Sequence, residues 1–188
     1  MVFCRYYMSM SKAHRLLERV CALFRAQLRR VSTEHGLKLV QLEALVYLSS
    51  ANRYSNTPLA LTEYLALTKG TVSQTLKALE SRGLVTKIAD EHDRRVQHCV
   101  VTDEGAAVAL EALRLPTGGD APHLESALRD VLRALQRTGD TRTFGVCNTC
   151  IHHQVEGPRT RCGLTGEPLR KAERTKICRE HEPIPLRT

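Results

Sequence analysis

Four cysteines near the C-terminal end are the side chains whose type and spacing best suit chemistry. Cys147, Cys150, Cys162 and Cys178 follow the pattern C-x2-C-x11-C-x15-C. A C-x2-C turn aims two thiolates at one ion and leaves backbone N–H groups free to hydrogen-bond the sulfurs. Residues 139–188 hold few apolar side chains, so this segment needs a metal, a disulfide or a partner to become ordered.

Three interpretations of these cysteines compete. Structural disulfides are disfavoured in the reducing cytoplasm, and unrelated core thiols are disfavoured because the cysteines lie among polar and turn residues. A four-thiolate metal site is therefore predicted. Its predicted cofactor is an iron–sulfur cluster, because clusters accept thiolates from scattered positions such as Cys162 and Cys178. Zinc remains the alternative, although structural zinc sites usually show two close cysteine pairs.

Three histidines near these cysteines could replace a thiolate. They are His152, His153 and His181. A lone histidine in a polar segment is more often solvated, so all three stay outside the predicted ligand set.

A second set of functional side chains lies between residues 57 and 105. Thr57-Pro58 predicts the start of a short helix, and Thr68 predicts the start of a second helix that runs to about Arg82. Apolar residues of the second helix repeat at helical spacing, so they predict one buried stripe. The opposite face carries side chains that can contact base edges and phosphates: Lys69, Thr71, Ser73, Gln74 and Lys77.

A β-hairpin is predicted directly after the second helix. Gly83 ends the helix, and two β-type runs follow at 84–89 and 96–102. The polar turn between them contains Arg94 and Arg95, which can contact a nucleic-acid backbone. The order helix, turn, helix and hairpin predicts a winged helix-turn-helix that binds double-stranded DNA.

Five short pieces, in this order, resemble the MarR family of transcriptional regulators. They are LTEYL at 61–65, TVSQ at 71–74, LESRGLV at 79–85, DRR at 93–95 and VTDEG at 101–105. Gly36-Leu37 with Gln41 and Leu45 is similar to the family's second helix, so the resemblance covers roughly residues 11–115. It implies that the second helix enters the major groove, while Asp93 and Arg95 lie along the minor groove or its phosphates. It also implies a homodimer on a pseudo-palindromic operator.

The flanks of the winged helix predict dimerisation helices. Residues 1–56 are interpreted as N-terminal dimerisation and scaffold helices, 57–105 as the DNA-binding domain, 106–138 as C-terminal dimerisation helices and 139–188 as the metal-binding segment. The helical stripes that predict buried faces are Leu16, Leu17, Val20, Phe24, Leu28 and Val31, then Leu124, Leu128, Val131, Leu132 and Leu135. The break at 116–119 departs from the long helix usual in the family. Cys21 and Cys99 are predicted to be structural, apolar positions.

Composition narrows the class of protein. The net charge is +8, yet residues 58–105 carry 6 basic and 7 acidic side chains, so charge alone does not establish DNA binding. The sequence shows neither a run of roughly 20 apolar residues nor a secretory signal, so a cytoplasmic protein without a membrane partner is expected. It also offers no catalytic triad, paired carboxylates or phosphate loop, so an enzyme is not expected.

The predicted fold is mainly α, with a small β-hairpin wing, flanking dimerisation helices and a loop-rich cysteine cluster. The predicted function is that of a MarR-type transcriptional regulator whose operator binding is modulated by a four-cysteine iron–sulfur cluster that senses redox state or iron. One alternative keeps the regulator but gives it a structural zinc site and a small-molecule effector. A distant alternative is a thiol–disulfide redox enzyme.

Overall fold

The computed structural model describes residues 11–91, 93–114, 122–138 and 142–184. The helices are α1 (Lys12–Glu34), α2 (Leu39–Ser50), α3 (Pro58–Tyr64), α4 (Lys69–Ser81), α5 (Asp103–Leu113) and α6 (Pro122–Thr138). The strands are β1 (Val85–Ala89), β2 (Gln97–Val101), β3 (Gly145–Val146), β4 (His153–Glu156), β5 (Arg159–Cys162) and β6 (Ile177–Cys178). The structure is mainly helical with the predicted β1–β2 hairpin, and the pairs β3–β6 and β4–β5 were not predicted.

Threonine caps fix where three helices begin. Thr57, Thr68 and Thr102 each precede a helix, and each Oγ1 accepts a hydrogen bond of 3.2 Å from the backbone N–H three residues later. Gly83 follows α4 with a φ of +70°, a backbone conformation that glycine adopts without steric cost. The predicted helix-turn-helix boundaries are therefore confirmed to within a residue or two.

One apolar core holds the winged-helix body, which we define as residues 11–113. Its largest fully buried side chains come from α1, α2, α3, α4 and the first two strands: Val31, Leu42, Leu45, Tyr47, Leu61, Val72, Leu76, Leu79, Val85 and Cys99. The Tyr47 hydroxyl donates a 2.8 Å hydrogen bond to the Ser55 carbonyl, which satisfies its one polar group inside the core. The predicted stripe of α4 and the inward position of Cys99 are confirmed.

The wing is the antiparallel pair β1 and β2, in which Val85 lies opposite Val101 and Ala89 opposite Gln97. Its base is fixed against α5 by a close backbone approach. A Cβ on Gly105 would lie 2.3 Å from the Leu84 carbonyl oxygen, so only glycine fits where α5 passes β1. The predicted hairpin is thus confirmed. β1 begins one residue later than predicted, and β2 is one residue shorter at each end.

Residues 142–184, here called the cysteine tail, contain little regular structure. β3 pairs with the distant strand β6, while β4 and β5 form a hairpin. The buried apolar side chains of the tail are Phe144, Cys147, Cys150 and Leu169. Phe144 joins the core of the body, where its ring lies 5.1 Å from that of Tyr64 in an edge-on contact. The tail therefore rests on the body rather than on a core of its own.

Two predicted buried stripes are exposed in the single chain. On α6, Leu124, Leu128, Val131, Leu132 and Leu135 are all exposed, because no other described helix or strand packs closely along them. On α1, Leu28 and Val31 are buried and Phe24 is partly buried, whereas Leu16 and Val20 face outward. These predicted dimerisation stripes therefore face outward in the single chain on α6 and on the first half of α1, and their burial between two chains stays a prediction.

Cys21 is also exposed, so its prediction as a small buried apolar residue was wrong. It lies on the half of α1 that no neighbouring element covers. The predicted break at 116–119 lies outside the described residues. Within the described ranges, no helix combines the length and apolar character needed to span a membrane.

Candidate nucleic-acid interface and cysteine site

The exposed face of α4 carries the predicted base-reading side chains, and we call it the recognition face: Lys69, Thr71, Ser73, Gln74 and Lys77. All five are exposed, while Val72, Thr75, Leu76 and Leu79 of the same helix are buried. The helix can therefore present its polar face outward without disturbing the core. Thr71 Oγ1 and Thr68 Oγ1 lie 2.9 Å apart in a hydrogen bond at the N-terminal end of that face.

The turn of the wing holds Arg95 by an internal ion pair. Asp93 accepts hydrogen bonds from Arg95 Nε at 3.0 Å and Nη2 at 2.9 Å, and also from the Arg95 backbone N–H. These hydrogen bonds lower the pKa of Asp93 and raise that of Arg95. The Arg95 side chain is still 90% exposed, and Arg94 is exposed as well. Both arginines thus remain accessible at the tip of the wing.

The four predicted cysteines come together around one cavity of about 230 Å³. Cys147 and Cys150 flank a single 3₁₀ turn, Cys162 ends β5 and Cys178 ends β6. Two antiparallel sheets therefore bring sulfurs from distant positions to the same space. The described cysteines are free thiols.

Burial raises the pKa of two of these thiols, Cys147 and Cys178. It raises the pKa of Cys147 to about 11, and the three neighbouring cysteines add to the shift. Burial also raises the pKa of Cys178, although hydrogen bonds from the Asn52 and Ser55 side chains and the Glu180 backbone oppose the shift. A thiol with a pKa near 11 is protonated at neutral pH, unlike the nucleophilic cysteine of a redox enzyme.

The four thiols line one cavity without forming a compact site for a single metal ion. Within the ranges that the structure describes, no three His, Cys, Asp or Glu side chains meet closely enough to hold a single metal ion. The four thiols instead surround a space, and clusters several ångströms across take thiolates from such scattered positions. Glu182 donates its backbone N–H to Cys150 Sγ at 3.4 Å, as in sites where backbone amides support cluster ligands. The metal site stays a prediction.

The three neighbouring histidines occupy different places. His152 and His153 line the cavity, and His181 does not. His153 Nε2 is buried and has no hydrogen-bond partner among the described residues, while His152 Nε2 lies 3.1 Å from Glu182 Oε1. His181 is buried against Gly145, and burial lowers its pKa. His153 is thus the histidine best placed to contact a bound group.

Sequence analysis missed the residues that fasten the tail to the helix-turn-helix. Arg179 reaches Glu63 on α3, and Tyr54 donates a 2.7 Å hydrogen bond to Glu167. The partners are 116 and 113 residues apart in the sequence, so no local pattern connects them. The one available signal is that Arg179 directly follows a predicted cysteine ligand.

Comparison with known proteins agrees with this geometry. Residues 35–96 match the sequence model of the MarR family. The chain is 32% identical over 84 residues to the organic hydroperoxide resistance transcriptional regulator of Bacillus subtilis (strain 168). That match covers 40% of this chain and 57% of the relative, so it spans little more than half of the relative's length.

Solved structures share the fold of the body. The transcriptional regulator PA3341 is 28% identical, with a TM-score of 0.52, over 66% of this chain and 96% of that protein. CouR from Rhodococcus jostii RHA1, solved with p-coumaroyl-CoA, is 21% identical, with a TM-score of 0.52, over 68% of this chain and 95% of its own. Residues 35–96 thus resemble the MarR family in sequence and the body shares its fold, while the structural matches leave about a third of this chain uncovered.

Proposed function

We propose that this protein is a DNA-binding transcriptional regulator of the MarR type. The observation that carries the proposal is the joint exposure of the recognition face on α4 and of Arg94 and Arg95 on the wing. In a winged helix these two surfaces contact the major groove and the neighbouring minor groove or its phosphates. Side chains of this kind supply both base contacts and phosphate contacts.

We further propose that the regulator is a cytoplasmic homodimer on a pseudo-palindromic operator. The outward-facing apolar side chains of α1 and α6 support a dimer, because a contiguous exposed apolar surface marks an interaction site. The most exposed of these side chains are Leu16, Val20, Leu23, Leu124, Leu128, Leu132 and Leu135. Two copies joined through these helices would present two recognition faces at a fixed spacing.

For the cysteine site we propose an iron–sulfur cluster held by Cys147, Cys150, Cys162 and Cys178. The proposal is supported by the single cavity of about 230 Å³ that all four thiols line. When bound, such a cluster supplies a group whose integrity depends on iron and on redox state. The four cysteines would hold it, and His153 would lie beside it. Occupancy of the site would then modulate operator binding.

A purification without oxygen tests the cofactor. With an iron–sulfur cluster the protein is brown, shows broad absorbance near about 400 nm and bleaches in air. With zinc it is colourless, insensitive to air and holds about one zinc per chain. Finding neither element in fully reduced protein contradicts both forms of the site. DNA binding is tested separately, by selecting sequences from a random duplex library with the same protein.

A second candidate keeps the regulator but makes the metal a structural zinc and the effector a small molecule. It is favoured by a mainly apolar pocket of about 290 Å³ between α1, α2, α3 and α5, whose lining includes Phe24, Leu28, Tyr47, Tyr64 and Leu113. The related CouR was solved with p-coumaroyl-CoA. Zinc in the purified protein, with operator binding that does not respond to air, would favour this candidate.

A further inference from the structure

Three consecutive residues connect the cysteine cavity to the loop before α3, which we call the 52–56 loop. The Ile177 carbonyl accepts a 2.9 Å hydrogen bond from the Asn52 N–H. Cys178 and Asn52 both line the cavity. The Arg179 N–H donates to Ser55 Oγ at 2.8 Å. The backbone on either side of Cys178 is therefore hydrogen-bonded to the loop, at Asn52 and at Ser55.

The side chain of Arg179 continues the contact onto α3 itself. Its Nε and Nη2 donate to the two carboxylate oxygens of Glu63 at 2.6 and 2.7 Å. The pair is shielded, with side chains that are 17% and 28% exposed, and Arg142 Nε lies 3.2 Å from the same carboxylate. A two-point contact between planar groups fixes orientation as well as distance. α3 is the helix that positions α4 in a helix-turn-helix.

The other end of the 52–56 loop contacts the wing. Asn56 accepts a 2.7 Å hydrogen bond from the Cys99 N–H on β2, and its Oδ1 lies 2.7 Å from His98 Nδ1. His98 Nε2 lies 3.0 Å from Asp90 Oδ2, at the start of the wing turn. One short loop thus contacts the cysteine site, precedes α3 and supports the wing.

The contact of the tail with α6 is narrower. On α6, Gln136 donates its side-chain N–H to the carbonyls of Thr143 and Phe144. These carbonyls precede β3 and belong to residues that do not line the cysteine cavity. A change at the cavity therefore reaches the 52–56 loop through Cys178 and the residues directly beside it. It reaches α6 only through Thr143 and Phe144, which lie outside the cavity.

We propose that the 52–56 loop and the Arg179–Glu63 pair transmit occupancy of the cysteine site to α3 and the wing. A bound group fixes the Cys178 sulfur, which fixes the backbone on both sides of it and so the contacts to Asn52, Ser55 and Glu63. This inference rests on the proposed function and names the route of its regulation. This route lies inside the DNA-binding unit and does not pass through α6.

The experiment measures a coupling ratio in the full-length protein. Affinity for a duplex selected from a random library is determined for chelator-treated protein and for protein reconstituted without oxygen with ferrous iron and sulfide. Zinc replaces these reagents if the purified protein contains zinc. The ratio of the two dissociation constants is the coupling, and for the parent we expect it to lie between about fivefold and 150-fold in either direction.

Four variants are compared with the parent. Glu63→Gln removes the carboxylate charge, Arg179→Lys keeps the charge but loses the two-point contact, and Ser55→Ala removes the acceptor of the Arg179 N–H. Glu156→Gln is the matched control, because Glu156 pairs with Arg161 on the β4–β5 hairpin, away from α3. Metal content and helix circular dichroism are checked first, so a variant that fails to fold or to load is set aside and the remaining variants decide.

The inference predicts that the ratio falls below about twofold in the Glu63, Arg179 and Ser55 variants and keeps its parental value in Glu156→Gln. Parental ratios in the loaded, folded variants would overturn the route while leaving the proposed function intact. A parent that binds DNA with equal affinity in both states would overturn the regulation and the route together. A parent that selects no DNA sequence would contradict the proposed function itself.

A second measurement does not depend on DNA. Hydrogen exchange of the amides of residues 52–65 should slow on reconstitution in the parent and in Glu156→Gln, because the loop and α3 become fixed. The slowing should be absent in Arg179→Lys. Slowing confined to α6, with residues 52–65 unchanged, would overturn the route. Gln136→Ala tests a competing route through α6. Loss of coupling in that variant alone would also overturn the proposed route.

Discussion

The winged-helix body and the cysteine tail differ in what stabilises them. In the body, side chains from five helices and two strands, such as Leu45 and Leu76, form one buried apolar core. In the tail, most contacts to the rest of the chain are polar, such as Tyr54 to Glu167 and Glu63 to Arg179. Its apolar contacts with the core of the body come from Phe144 and Ile177.

This difference explains how one region can respond while the other stays folded. Apolar burial stabilises the body in any state of the thiols, because this stabilisation depends only on the apolar area removed from water. The tail buries less apolar area, so its order depends more on directional contacts and, in the proposed function, on a group held by the four thiols. A segment of low intrinsic stability is the kind of region from which regulatory elements are drawn.

The largest effect is expected from the cysteines. Replacing any one of Cys147, Cys150, Cys162 or Cys178 with Ser should lower metal content severalfold, because each supplies a thiolate that the others cannot replace. Cys21→Ser is the control, since Cys21 is exposed on α1. Iron, sulfide and zinc analysis of reduced protein measures the result. Unchanged metal content in all four variants would remove the basis of the cysteine site.

A paired truncation separates the two regions by stability. Leu45→Ala should lower the free energy of unfolding by about 2–5 kcal/mol, because Leu45 is fully buried in the body. Leu169→Ala in the tail should leave urea unfolding of the helices nearly unchanged and instead increase proteolysis between residues 142 and 184. Equal losses of helix stability in both variants would show that body and tail unfold as one unit.

Substitutions that weaken DNA binding by removing a direct contact should lie in the body and not in the tail. Gln74→Ala should cost about 1–3 kcal/mol of operator binding and relax specificity at one base position, as expected when a base contact is removed. Arg95→Ala should weaken binding to all DNA sequences by a similar factor. It should also reduce the salt dependence of binding by the equivalent of about one phosphate contact. Mobility shifts over a salt series test both. Parental binding by both variants would contradict the recognition face and the wing assignment.

A smaller effect is expected at the start of α3. Thr57→Ala should destabilise the body by about 1 kcal/mol, because Thr57 Oγ1 caps the helix by accepting the Ala60 N–H. Thr57→Ser keeps the hydroxyl and serves as the control. Chemical denaturation followed by circular dichroism distinguishes the two. A loss shared by both variants would point to the methyl group rather than to the cap.

The smallest effect concerns pH. Hydrogen bonds from Arg179 hold the pKa of Glu63 below its ordinary value, although burial opposes the shift. A depressed folded-state pKa stabilises the fold above the unfolded pKa, and this stabilisation is lost as pH falls through the folded value. Between about pH 6 and pH 3, tail proteolysis should therefore rise more in the parent than in Glu63→Gln. Identical pH profiles would show that the pair does not hold the tail.

The sequence was sufficient for local features of the body. Thr57, Thr68 and Thr102 begin helices, and Gly83 ends one, because caps and left-handed glycines act over a few residues. The α4 stripe was predicted correctly, because a helix with one apolar face buries that face wherever it packs. On α6, Leu128 and Leu132 repeat at helical spacing in the same way, but in the single chain they face outward. Periodicity predicts that a face will be covered but does not identify the surface that covers it.

What the sequence determined by itself is therefore the helix-turn-helix order, the exposed polar face of α4 and the choice of four cysteines as a set. Only the tertiary structure decided that these cysteines surround one cavity and that Arg179 reaches Glu63, 116 residues away. The physical reason lies in the range of the interactions. Capping and periodicity act between neighbours along the chain, whereas ion pairs and cavities depend on distances through space that folding alone sets.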